Sequence, residues 1–241
     1  MIKLYQFPIS HFCEKVRWAL DFKGLTYETK NLLPGPHLRT TLKLCEKSSV
    51  PILLRDEDVI QNSLDILSYL DEAFPQKSLT PTEDSLKEEA LEWEKELDNL
   101  VGRHLRRYLY HTLLEYPSIV ISFFCKDGPW YGRAFYKIAF PKLRKKMRGF
   151  MKINSETAEE SREIVQKMID RLNQIYKKQK FLVGDGFSRA DLTAAALLAP
   201  VFQPEHYGLD WPNTLPEPLQ SFASTNSQKL LWAQEFYSTF R

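Results

Sequence analysis

The chain has 241 residues, 43% of them hydrophobic and 27% charged, with a formal net charge of +2. That is ordinary globular material, long enough for one large or two modest domains with a sizeable core, and the near balance of charge singles out no partner, nucleic acid included. No uncharged apolar run is long enough to span a membrane, and the first residues enter a strand-like pattern without the basic and apolar regions of a secretory signal, so neither is expected; three scattered cysteines fit reduced thiols in a cytoplasm.

Ile2 to Phe7 alternates as a short strand, and His11 to Phe22 follows as a helix with Phe12, Val16, Ala19 and Leu20 on one face. The corner between them carries Ser10 and Cys13 in S-x-x-C spacing at a helix N-terminus. Backbone N–H groups and the helix dipole favour negative charge there, a thiolate included. The sulfur is either that of Cys13 or one brought by a ligand, and the second is the reading preferred. Gly24 suits a helix C-cap, and Thr26 to Leu32 reads as a second strand, completing a right-handed parallel βαβ unit. A weak helix over Leu38–Leu44, a strand over Val50–Arg55, a turn at Asp56–Asp58 and a short strand at Val59–Ile60 come next. Asn62 or Ser63 then caps a helix whose apolar positions are Ile66, Leu67, Leu70 and Phe74. The order β-α-β-α-β-β-α is that of a thioredoxin-like α/β domain.

Residues 76–84 are proline-containing and polar, a linker between a domain at 1–75 and one at 85–241 in which no strand is expected. Leu86, Ala90, Trp93, Leu97 and Leu100 define one long helix, and the stripe extended by four reaches His104, expected at the edge of a packed face. Aromatic residues crowd Tyr108 to Phe140, most expected in the core and some as walls of an apolar pocket. From Arg133 to Lys152 there are eight basic residues and no acidic one, read as a solvated helix face that the following Glu156, Glu159, Glu160 and Glu163 could neutralise. Ile164 to Tyr176 is amphipathic. Ser188 with Asp191 has capping-box spacing, with Phe187 and Leu192 as a hydrophobic staple, and starts a helix so uniformly apolar that it must be buried. Leu219, Phe222, Leu230, Trp232 and Phe236 make the tail helical. The three cysteines, Cys13, Cys45 and Cys125, lack the paired spacing of a disulfide framework or zinc site, so no metal is expected, and Cys45 and Cys125 read as small buried hydrophobes.

SHFCEKVRWALDFKGLTYE, Val50-Pro51, Asn62-Ser63 and SRAD after FLVGDGF occur in the order and setting that resemble the glutathione S-transferase family, in particular its serine- and cysteine-type classes of bacterial type. The resemblance spans nearly the whole chain. It implies a thioredoxin-like N-terminal domain with an all-α C-terminal domain, and glutathione as co-substrate. Ser10 would hold the glutathione thiolate. Pro51, in the cis form, would expose the backbone of Val50 to the cysteinyl part. Ser63 would take the γ-glutamyl carboxylate, Asn62 the ammonium group and His37 the glycyl carboxylate. Phe12 and Tyr108 would contribute to the site of a small apolar electrophile, and the protein would be a homodimer. Asn62 stands where the family commonly has an acidic residue or glutamine, and LCEKSSVP lacks the family's Asn-Pro before Val-Pro. A dithiol cycle is excluded at a corner with a single cysteine. Transferase or peroxide-reducing activity in detoxification is the leading expectation. A non-catalytic binding or scaffold protein, which the basic segment could dock on a membrane surface or a protein, and a glutathione-dependent isomerase or dehalogenase are the alternatives.

Overall fold

The computed structural model describes residues 1–241. Four strands, β1 (Ile2–Gln6), β2 (Tyr27–Asn31), β3 (Ile52–Arg55) and β4 (Asp58–Gln61), form one sheet in the order β2-β1-β3-β4. β1 lies parallel to β2, with Ile2 opposite Tyr27, while β3 runs antiparallel to both β1 and β4. Helix α1 (His11–Phe22) makes the parallel crossover; α2 (Leu38–Leu44) and α3 (Ser63–Ala73) complete the expected order. The register puts Ile2, Leu4 and Gln6 on the inner face, and α2 buries only Thr41, so the core of this domain lies on the side of α1 and α3.

The remainder is helical: α4 (Asp84–Leu97), α5 (Arg103–Leu113), α6 (Pro117–Phe124), α7 (Gly132–Phe150), α8 (Ser155–Tyr176), α9 (Arg189–Phe202), α10 (Leu219–Asn226) and α11 (Leu231–Phe240). Helix α9 is buried from Arg189 to Val201. Leu192, Ala195, Ala196 and Ala199 face the core shared with the sheet domain, whereas Ala194, Leu197, Leu198 and Val201 face the helical core. Two apolar stripes on one helix explain why its sequence shows no polar face, and its alanines let neighbours on both sides approach closely. The capping box starts it as expected. Asp191 accepts from the Ser188 N–H at 3.0 Å and its hydroxyl at 2.9 Å, and also from the Leu182 N–H and the Tyr176 hydroxyl.

The single long helix expected through His104 is interrupted. Asp98–Gly102 is a π-helical turn between α4 and α5. The extra residue re-aims the chain where α1 crosses it. His11 Nε2 lies 2.9 Å from the Gly102 carbonyl oxygen, and Lys15 reaches the Asp98 carboxylate at 3.0 Å. Gly102 itself allows the Phe12 ring to come close, since a Cβ there would sit 2.4 Å from Cζ of that ring.

Charged residues that sequence periodicity assigns to the outer side of α1 are also buried. Lys15 Nζ lies 2.6 Å from Glu94 Oε1, and Arg189 Nε donates to Glu94 Oε2 at 2.5 Å. The same guanidinium donates to the Leu64 carbonyl at 3.0 Å, so one ion cluster joins α1, α3, α4 and α9. Mutual pairing offsets the large cost of removing these charges from water.

His104 lies at the edge of a packed face, as expected, and bonds to Ser161 Oγ on α8 at 3.0 Å. Several smaller expectations change. The basic α7 finds its counter-charge in Glu115, which pairs with Arg144 and Arg148, while Glu159 of the acidic run pairs with Arg162. Cys45 and Cys125 are half-buried, not fully inside. Trp130 is 93% exposed, so it is not one of the core aromatics.

Candidate active site

Ser10 caps α1 in extended conformation (φ −76°, ψ 117°), and its Oγ accepts the Cys13 N–H at 3.4 Å. That use of a lone pair leaves the hydroxyl proton available as a donor. The loop before it is held from two sides. Tyr207 OH donates to the Ile9 carbonyl at 2.6 Å, and Arg17 donates to the Pro8 carbonyl at 3.3 Å. Arg17 is oriented in turn by Glu14, whose carboxylate lies 2.7 Å away and also accepts from Tyr237 OH and Arg241 Nε. Charged residues of α1 and aromatic residues of the C-terminal helices thereby fix the corner before any ligand arrives.

Cys13 is fully buried, and burial raises its pKa above the ordinary thiol value, with the Ser10 hydrogen bond opposing. A neutral, inaccessible thiol is no nucleophile. Of the two sulfur sources the corner allowed, that of Cys13 is therefore closed to an external electrophile.

An apolar cavity of about 280 Å³ opens beside this corner, between the domains. Ser10, Phe12, His37 and Val50 are among the residues that line it. The Val50–Pro51 peptide is cis, and the Pro51 carbonyl accepts the Asn62 N–H at 3.1 Å, which ties this bend to the start of α3. His37 Nδ1 accepts the Gly35 N–H at 3.0 Å, so the neutral ring carries its proton on Nε2. Its pKa is lowered by burial, against the backbone hydrogen bonds of Ser48 and Leu33.

Asn62 and Ser63 lie at the N-terminus of α3, apart from the cavity wall. Ser63 is buried. Asn62, with φ 78°, caps the helix: its Oδ1 accepts the Asp65 N–H at 3.1 Å and its Nδ2 pairs with the Asp65 carboxylate. The carbonyl expected to meet an ammonium group thus gives one of its two lone pairs to the helix.

Tyr108 is not at the apolar site. It is 3% exposed and packs edge-on against Phe222, 5.1 Å between centroids, inside the helical core. Two residues on, Tyr110 lines the cavity instead, with Phe124. A helix turns by about 100° per residue, so two positions separate opposite faces. The sequence reading also missed Arg106, Leu143, Met147 and Trp211 in the wall. Arg106 and Tyr110 have the i, i+4 spacing that would have placed them together; Trp211 lies in irregular chain and carries no such signal.

His11 also lines the cavity, and its pKa is lowered to about 3, chiefly by burial and then by the Arg106 charge. Its ring is neutral at physiological pH, so Nε2 donates to the Gly102 carbonyl.

A small mixed thioredoxin-like sheet domain, a cis X-Pro bend beside a serine-capped helix and an all-helical partner define the class to which this chain is assigned. The family model described as glutathione S-transferase, N-terminal domain, matches residues 4–78, and that of the glutathione S-transferase C-terminal domain matches residues 131–213. The chain belongs to the glutathione S-transferase family. Glutathione S-transferase 1 of Dianthus caryophyllus is 40% identical over 96 residues, 39% of this chain and 42% of that protein. A probable glutathione S-transferase of Nicotiana tabacum is 27% identical over 196 residues, 80% of this chain and 68% of its own. The chain therefore spans about two fifths of the first relative and two thirds of the second. Among solved structures, a glutathione S-transferase from Rhodospirillum rubrum F11 superposes with a TM-score of 0.67 at 20% identity, covering 99% of this chain and 88% of that one.

Proposed function

We propose that the protein is a glutathione transferase in which Ser10 and the N-terminus of α1 hold the glutathione sulfur as thiolate for attack on a small apolar electrophile. The observation that carries this reading is the Ser10 hydroxyl, fixed at a helix N-terminus and lining an apolar cavity whose other edge holds Val50 beside cis-Pro51. A free thiol has a pKa near ~8.5, so only a few per cent is ionised at neutral pH. A hydrogen bond to the charged form, worth about 1.5–3 kcal/mol, lowers that value by roughly one to two units. The helix dipole acts in the same direction. Conjugation of an aryl halide then forms a C–S bond as the carbon–halogen bond breaks, the halide leaving and the thiol proton passing to solvent.

Glutathione would lie along the sheet domain, its cysteinyl part against the Val50 backbone, its γ-glutamyl carboxylate at Ser63 and its glycyl carboxylate at His37. Phe12 and Tyr110 would wall the electrophile. Domains at 1–75 and 85–241, a homodimer, a role in detoxification and a cytoplasmic location belong to the same reading, and three free thiols fit a reducing compartment. Calorimetry with glutathione, followed by turnover of a generic aryl halide, tests it. Millimolar or tighter binding with conjugate formation is expected. Absence of both would leave a non-catalytic relative as the better description.

A further inference from the structure

Arg106 is the unusual residue of the cavity. It stands on α5 four residues before Tyr110, and both line the wall. Its Nε is buried and has no hydrogen-bond partner. No aspartate or glutamate lines the cavity; burial lowers the pKa of its two histidines, His11 and His37, and raises that of Tyr110, so all three are neutral. The guanidinium pKa is itself lowered, by burial first; Tyr110 opposes this, while the like charges of Arg103 and Arg107 add to it. Arginine nevertheless stays protonated in proteins. The wall therefore holds one fixed positive charge with no counter-charge from the chain.

A buried charge of this kind is costly until an anion with hydrogen-bond acceptors meets it, and the planar guanidinium fits a carboxylate bidentately. The surroundings select what carries that anion. Arg106 projects from the helical domain among Leu109, Phe124, Leu143 and Met147. In the glutathione reading the two carboxylates of the peptide go to Ser63 and His37, both on the sheet domain. The vacant charge is thus left for the second substrate. We propose that Arg106 is an anion-binding residue for that substrate, and that the electrophiles this protein takes are apolar, aromatic or long-chain molecules bearing a carboxylate. This rests on the transferase reading for the word substrate, but the anion site can be tested without any turnover.

The test compares the dissociation constants of para-nitrobenzoate and its uncharged isostere para-nitrobenzamide, read by quenching of tryptophan fluorescence, Trp211 being in the wall. In the wild-type chain the benzoate is expected to bind about tenfold or more tightly than the amide, the range of a charge-assisted hydrogen bond. Arg106→Gln should bring the ratio near unity. Arg103→Gln, which removes an exposed charge of the same helix outside the cavity, should leave it as in wild type. Equal constants in wild type, or a ratio that survives in R106Q, would overturn the proposal, and the wild-type comparison stands even if R106Q does not fold. Saturating glutathione should leave the ratio in place; competition between glutathione and the benzoate would assign Arg106 to glutathione and also overturn it. A protein that shows the ratio yet never conjugates glutathione would sink the transferase reading and leave the anion site standing.

Discussion

Ser10→Ala separates a catalytic from a structural serine, because the structure allows both costs to be worked out. The structural one is small. The Cys13 N–H that reaches Ser10 Oγ at 3.4 Å also reaches the Ser10 carbonyl at 2.9 Å, so it stays satisfied in the variant. Loss of a helix N-cap typically costs ~1 kcal/mol, and for a chain of this size that lowers Tm by only about 2–4 °C. The chemical cost is larger. Removing a donor to the thiolate raises the pKa of bound glutathione by roughly one to two units, since the charged form loses about 1.5–3 kcal/mol. The fraction of thiolate at neutral pH then drops by about tenfold or more, and kcat falls with it. The assay is kcat against pH for conjugation of an aryl halide, together with ultraviolet titration of the bound thiolate. The profile of S10A should be displaced to higher pH and recover at its alkaline end. An S10A enzyme with the wild-type kcat and profile would refute the role given to the hydroxyl.

His11 makes stability depend on acid. An unfolded histidine titrates near ~6.5, whereas the buried ring does so at about 3, so the unfolded chain binds the extra proton in between and stability present above pH ~6.5 is lost as pH falls. Denaturant unfolding should show roughly 2 kcal/mol less stability at pH 5 than at pH 7 from this residue, and His11→Gln, whose amide can still donate to the Gly102 carbonyl, should abolish that part of the slope. An undiminished slope in H11Q would place the acid sensitivity elsewhere. Gly102→Ala sets a Cβ 2.4 Å from the Phe12 ring. It should cost about 1–3 kcal/mol in thermal unfolding, and the double variant with Phe12→Leu should recover part of the loss; an unchanged Tm for G102A would contradict the close approach.

Much of the local architecture was legible because it is written in nearest neighbours. Alternation in Ile2–Phe7, the S-x-x-C corner, the Ser188–Asp191 cap and the all-apolar α9 each follow from periodicity or from a side chain satisfying a backbone group a few residues away. They determined the order of elements and placed Ser10 at a helix N-terminus. Resemblance supplied the cis form of Pro51, which no periodicity encodes.

The tertiary structure decided what covers each face. Periodicity gave α1 one packed stripe, yet Glu14, Lys15 and Arg17 are buried too, because Tyr237 and Arg241, 223 and 227 residues away from Glu14, and Glu94 of α4 close over the other side. It likewise decided that Tyr110 and not Tyr108 walls the cavity, that a π turn makes room for His11 and Phe12, and that Arg106 stands there without a counter-charge. Burial and pairing of charges depend on contacts between segments remote in the chain, and a spacing rule reports only which residues share a face, never what that face meets.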